Sequence, residues 1–256
     1  MKRLRGVWLG RQPYAPLQTL QERLLALRQQ GAIEDTVLLL EHEPVVTLGR
    51  GAKAEHVLST PEALAARGID RVVSTRGGDV TLHAPGQLVA YPIVDLSPDR
   101  RDVRRWVRTL TETMRRIAEE CGVAAGRHEE HVGLWADAAA PTRFTTAGDA
   151  QELVKIGAIG VRISRWVTMH GFALNLTPDL SLYGAIVPCG IREHGVASIA
   201  SLGGRPLPVE AAAGRALTLL AELSDATPGA LERWDLDALE ASAKRAPPSS
   251  LGMRST

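Results

Sequence analysis

At 256 residues, 45% of them apolar and 23% charged, the chain is long enough for one large domain or two small ones around a sizeable core. Its net charge of +1 argues against a dedicated nucleic-acid binder, and no apolar run approaches the ~20 residues that span a bilayer.

The opening residues, MKRLRGVWLGRQPY, are basic and lack the apolar core of a secretory signal, so a cytoplasmic protein is expected. Residues 17–31 put Leu17, Leu20, Leu24 and Leu27 on one helical face and stop at Gly31. TVLLLEHEPVVTLGRG then reads as a buried strand, a break at Pro44 and a second apolar run ending at Leu48. PEALAARG (61–68) is a short helix framed by Pro61 and Gly68. Short strands VVST, VTLH and LVAYPIVDL flank a turn at Arg76-Gly77-Gly78 and a second at Pro85-Gly86.

The strongest helical pattern begins at Ser97-Pro98 and runs to about Glu120. Its apolar stripe is Val103, Val107, Leu110, Met114, Ile117 and Cys121, with arginines on the other faces. After a polar stretch (124–131), strands are expected at GLWAD, around Thr142–Thr146, at VKIGAIGVRIS and at VTMHGFALNL. The last two pair as a hairpin around Arg165-Trp166. Residues 209–223 form a second amphipathic helix. Residues 226–256 are expected as a partly disordered tail, because the end of the chain is poor in large apolar side chains. The pattern describes an α+β, or mixed α/β, single domain over residues 1–225.

Several chemistries find no support. No phosphate-binding glycine motif stands between a strand and a helix, and the Arg76-Gly77-Gly78 turn leads into a strand. His128-Glu129-Glu130-His131 lacks the spacing that puts two histidines on one helix face, so a solvated loop is favoured over a metal site. The two cysteines provide no disulfide framework and no CxxC pair. Cys121 falls on a helical stripe and reads as a small core residue. Cys189 stands between Pro188 and Gly190 on a defined turn, where a buried thiol and a nucleophile remain equally open. A nucleophile needs a nearby cation or base, for which Lys155, His83, His170 and His194 are candidates. Lys155 is one of only four lysines among many arginines, in a strand whose apolar neighbours would partly bury it. Such a lysine can accept a proton, which an arginine cannot. The alternative is an edge-strand lysine that discourages aggregation.

Four ordered blocks carry a family resemblance. They are EHEPVVTLGR (41–50), RGGDVTLHAPGQ (76–87), KIGAIGVRISRWVTMHGFALNL (155–176) and IVPCGI (186–191). Together they resemble the lipoyl(octanoyl) transferases, over roughly residues 35 to 203. Arg165-Trp166 replaces the family's usual Arg-Gly, and GVASIASL its usual GVTSL. The resemblance implies the fold of biotin protein ligases and lipoate–protein ligases, a mixed sheet with helices mainly on one side. It implies that Cys189 carries an acyl thioester and that Lys155 favours the thiolate and moves protons. It maps an acyl pocket onto Arg76, Gly77, Gly78, Asp79, Val80, Thr81, Leu82 and His83, onto Ala158, Ile159 and Gly160, and onto Gly171, Phe172 and Ala173. His170 is a further pocket candidate. The implied donor is octanoyl-acyl carrier protein. The implied acceptors are lipoyl domains of 2-oxoacid dehydrogenase complexes and the glycine cleavage H protein. No cofactor, metal, nucleic acid or membrane is implied. The alternatives are an ATP-dependent lipoate or biotin ligase on the same fold, and a non-catalytic binding module. The arginines of DRRDVRRWVR (99–108) suggest a docking face for the acidic carrier, against the plainer reading of a solvated helix face.

Overall fold

The computed structural model describes residues 2–191 and 193–245. Two long strands that the sequence pattern did not announce build one side of the main sheet. β1 (Lys2–Gln12) lies between β2 (Asp35–His42) and β11 (Ala226–Arg233), parallel to both. β6 (Gln87–Ile93), β9 (Val167–Asn175), β8 (Leu153–Ser164) and the short β10 (Gly195–Val196) extend the sheet beyond β2, and β7 (Leu134–Asp137) pairs with β8 off the main path. A second sheet holds β4 (Asp70–Val73), β3 (Val45–Leu48) and β5 (Val80–His83), in that order.

The pleat divides the apolar residues of each central strand between two cores. Val37 and Leu39 of β2, with Leu88 and Ala90 of β6, face α3 (Val103–Glu120) and α4 (Val209–Leu223). Leu38 and Leu40, with Val89 and Ile93, face α1 (Tyr14–Gln29) and α5 (Leu236–Arg245). Helices therefore cover both faces of the sheet, not mainly one as the resemblance implied. This explains why β2 reads as an unbroken apolar run instead of alternating.

Other elements depart from the sequence reading for local reasons. α3 starts at Val103, not near Pro98, because the Asp102 carboxylate caps it by accepting from Arg105 N at 2.9 Å. Its buried stripe runs through Trp106, Leu110, Met114 and Ile117, while Val103 is 46% exposed. No strand forms around Thr142–Thr146; that segment is turn and bend before a short 3-10 turn at Ala147–Asp149. The hairpin is present, and its two turn residues, Arg165 and Trp166, both have positive φ, 47° and 64°. This matches the turn geometry that suits the right-handed twist of two-residue hairpins.

Residues 226–245 are built into the fold, whereas 246–256 of the expected tail lie outside the described residues. β11 needs few apolar side chains, because its attachment is main-chain pairing to β1 reinforced by Arg5–Glu232 at 2.6 Å. Leu239 and Ala243 then anchor α5 on the α1 side. No helix among the described residues is long and apolar enough to cross a membrane.

Candidate active site

Lys155 and Cys189 meet although 34 residues separate them: Nζ stands 3.0 Å from Sγ. Lys155 sits where β8 is paired on both sides, opposite Trp135 of β7 and Val196 of β10. Its side chain is buried, and Nζ lies 5.3 Å from the Trp135 ring centroid. An edge-strand role is thereby excluded. Cys189 occupies the middle of a one-turn 3-10 segment, Pro188–Gly190, with φ 56° and ψ 18°. A non-glycine residue in this left-handed region is strained and persists only when its surroundings hold it.

Those surroundings include two residues the sequence did not bring together. His56 Nδ1 is bonded to Asp79 Oδ2 at 2.5 Å, and the Asp79 carboxylate also accepts from Val80 N and Lys53 N. The His56 carbonyl accepts from Val187 N at 2.8 Å, tying down the segment that leads to Cys189. Gly190 packs against the same pair; a Cβ there would lie 2.6 Å from the His56 ring and 2.7 Å from Asp79 Oδ2. Glycine is thus required at 190 for space as well as for its φ of 71°.

The dyad opens on a cavity of about 200 Å³. Arg76, Gly78, Asp79, Thr81 and His83 line it, as do Ala158, Ile159 and Gly160 of β8 and His170, Gly171, Phe172 and Ala173 of β9. Three expected residues do not line it. Gly77 instead donates from its N–H to Val161 O, tying the turn to β8. Val80 and Leu82 point into the core under the small sheet with Val46, Leu64 and Ile69, as period-2 alternation along β5 requires.

Sequence reasoning missed Tyr14, Tyr91 and Ile191, which also line the cavity. It placed Glu130 and His131 in a solvated loop, yet both reach the cavity rim. Among the histidine candidates, His194 packs beside Trp135, while His83 and His170 are engaged elsewhere. His83 stacks on Tyr14 and faces Gln87 Oε1 with Nδ1; His170 Nε2 meets Thr75 Oγ1. Lys155 alone of the four candidates is in bonding contact with Cys189.

The inner end of the cavity is aromatic, and its histidines are held neutral beside the buried Arg76 guanidinium. Burial holds His83 well below the usual histidine range, aided by repulsion from His42 and Arg76. It pushes His42 down to about 4 and His170 to about 3, and raises the Tyr91 phenol well above its ordinary value. Arg76 brings a charge to this region but spends its donors on Thr47 O and Oγ1 and on Gly77 O. The arrangement can accept a short apolar chain inward, with a thiol and an amine at its outer end.

Residues 13–221 match the family model of the lipoyl protein ligase A/B catalytic domain. A protein of Chloroflexus aggregans named octanoyltransferase is 44% identical over 229 residues, covering 89% of this chain and 98% of that protein. Among solved structures, an archaeal lipoate protein ligase from Thermoplasma acidophilum superposes with a TM-score of 0.68 at 14% identity, covering 96% of this chain and 93% of that one. Biotin protein ligase from Aquifex aeolicus, solved with biotin and ATP, gives 0.50 at 12% identity, covering 88% and 71%. At such identities the likeness is one of fold, and it is the fold expected from the sequence. The chain belongs to the lipoyl protein ligase A/B catalytic-domain family, on its octanoyltransferase branch, and is an acyltransferase.

Proposed function

We propose that the protein moves an octanoyl group from octanoyl-acyl carrier protein to the acceptor lysine of lipoyl domains, through a thioester on Cys189. The acceptors would be lipoyl domains of 2-oxoacid dehydrogenase complexes and the glycine cleavage H protein, in the cytoplasm. The observation that supports this reading best is the 3.0 Å contact between Lys155 Nζ and Cys189 Sγ at the outer end of a cavity suited to a short acyl chain.

In the first half-reaction Lys155 Nζ takes the Cys189 proton, and the thiolate attacks the carbonyl carbon of the donor thioester. Collapse of the tetrahedral intermediate breaks the bond to the phosphopantetheine sulfur, which leaves with the proton returned from Lys155. One thioester replaces another, so little free energy is lost. In the second half-reaction the acceptor amine attacks the enzyme thioester, Lys155 takes a proton from the nitrogen, and the departing Cys189 sulfur recovers it. Formation of an amide from a thioester is downhill, and no nucleotide is consumed. The backbone N–H groups of Gly78 and Cys189 are the oxyanion donors of this reading, since the Gly190 N–H is committed to Val187 O. Burial of the chain contributes ~0.8 kcal/mol per methylene, so cavity length can select the acyl chain.

Activity assays without ATP test the proposal. Wild type should octanoylate a lipoyl domain from octanoyl-carrier protein, Cys189→Ala should be inactive, and Lys155→Arg should be slowed by about 10² to 10⁴, the usual contribution of a proton-transfer group. Retained activity in Cys189→Ala, or activity only with free octanoate and ATP, would instead support an adenylate-forming ligase.

A further inference from the structure

The arginines on and around α3 differ in how far they are neutralised, and Arg105 pairs with Asp225 at 3.5 Å. Arg115 and Arg116, toward the helix end, are neutralised by Glu112, Glu119 and Glu222 at 2.7 to 3.1 Å. Arg100 is buried and donates to the carbonyls of Ser224 and Asp95, so it leaves the surface altogether. Arg104 and Arg127, by contrast, have no carboxylate within ion-pair distance among the described residues, and Arg108 has only the half-exposed Asp102 at 3.8 Å. These last three guanidinium groups belong to one open hollow of about 380 Å³, to which Glu129 contributes the single carboxylate.

The lining between them is apolar. Val103 and Val132, 46% and 55% exposed, are two of the four large hydrophobic side chains that stand out on the described surface, and both line this hollow with Val107. Apolar surface ringed by arginine is the composition of a recognition face, since Arg is enriched at protein interfaces.

Its position links it to the chemistry. His131 and Val132 line both this hollow and the catalytic cavity. The next residue, Gly133, abuts the dyad: a Cβ there would lie 2.6 Å from Lys155 Cε. A molecule seated on α3 is therefore separated from Lys155 by the thickness of one chain segment.

We propose that this hollow docks the acyl donor: a carrier protein that presents a helix with carboxylates flanking apolar residues, and whose thioester arm passes over His131 and Val132 to Cys189. The inference rests on the transferase reading above. Charge decides between the two macromolecular substrates. The carrier and its phosphodiester-linked arm are anionic, whereas the acceptor delivers an ammonium that three largely unneutralised guanidinium groups repel.

The two half-reactions separate the possibilities. Loading of Cys189 by octanoyl-carrier protein and discharge of the loaded enzyme onto a lipoyl domain are followed by rapid-quench mass spectrometry. Arg104→Glu/Arg108→Glu, and independently Arg127→Glu, should lower the second-order loading rate, by about tenfold for the double variant, and flatten its salt dependence. Discharge should be unchanged. An equal loss in both half-reactions, a loss confined to discharge, or no loss in any variant would each overturn the docking assignment. Wild-type enzyme that never loads Cys189 would refute the transferase reading itself, a distinct result.

Discussion

Lowering the pH from 7.5 to 5.5 should destabilise the protein through the buried histidines around the cavity. His42 and His170 are almost fully buried, and burial depresses them to about 4 and about 3, from 6.5 in the unfolded chain. Between those values the unfolded state binds protons that the folded state refuses, so stability is complete above the unfolded value and falls as pH drops through it. At pH 5.5 each unfolded histidine is about nine-tenths protonated while each folded one remains neutral. That costs roughly 1 kcal/mol per residue, 2 to 3 kcal/mol together, and His83 adds to it in the same direction. Carboxylates barely titrate in this window, which isolates the histidine contribution. For a chain of this size the melting temperature should fall by about 5 to 10 °C. Differential scanning calorimetry across the window measures the slope. His170→Asn removes one titrating group while keeping a residue that tolerates the φ of 56° at that position. Its slope should be shallower. A flat profile in wild type, or an unchanged slope in His170→Asn, would refute the account of neutral, buried histidines at the inner wall.

Three further substitutions probe the frame around the site. Gly190→Ala should lower kcat by about a hundredfold and also lower the melting temperature by a few degrees, because the methyl group meets His56 and Asp79 at a left-handed φ and displaces the reactive turn. Gly171→Ala should cost about 1 to 3 kcal/mol, read by denaturant unfolding, since its Cβ would fall on the backbone carbonyl of Ala90. Arg165→Asn should stabilise by up to about 1 kcal/mol in the same assay, by relieving a left-handed arginine at the hairpin turn.

What could be read in the sequence followed the range of the interactions involved. α4 was legible because its periodicity is local, and the β8–β9 hairpin because two strand patterns flank a two-residue turn. β1 and β11 were not, since each becomes a strand through pairing with partners distant in sequence, which no local pattern announces. In the site, Cys189 and Lys155 stood out through their unusual setting and scarcity, and the family motifs joined them. Residues 76–83 were read as one pocket wall, but alternation along β5 turned Val80 into the small-sheet core, and Leu82, in the same core, meets the dyad only at a narrow side pocket. Tyr14, Tyr91 and His56 escaped notice because each belongs to a separate element and meets the site only once the two sheets are assembled. The arginine run at 99–108 looked uniform in sequence; only the fold separates the buried Arg100 from the exposed groups.

The claim that Cys189 is the acyl carrier is tested most directly by intact-mass and peptide-mapping analysis after incubation with octanoyl-carrier protein and no acceptor. The account predicts one octanoyl adduct, located on Cys189 and discharged when a lipoyl domain is added. Cys121 should stay unmodified, since it is buried in the α3 core and burial raises its thiol pKa. Transfer to the lipoyl domain without any adduct, or an adduct on another residue, would contradict it.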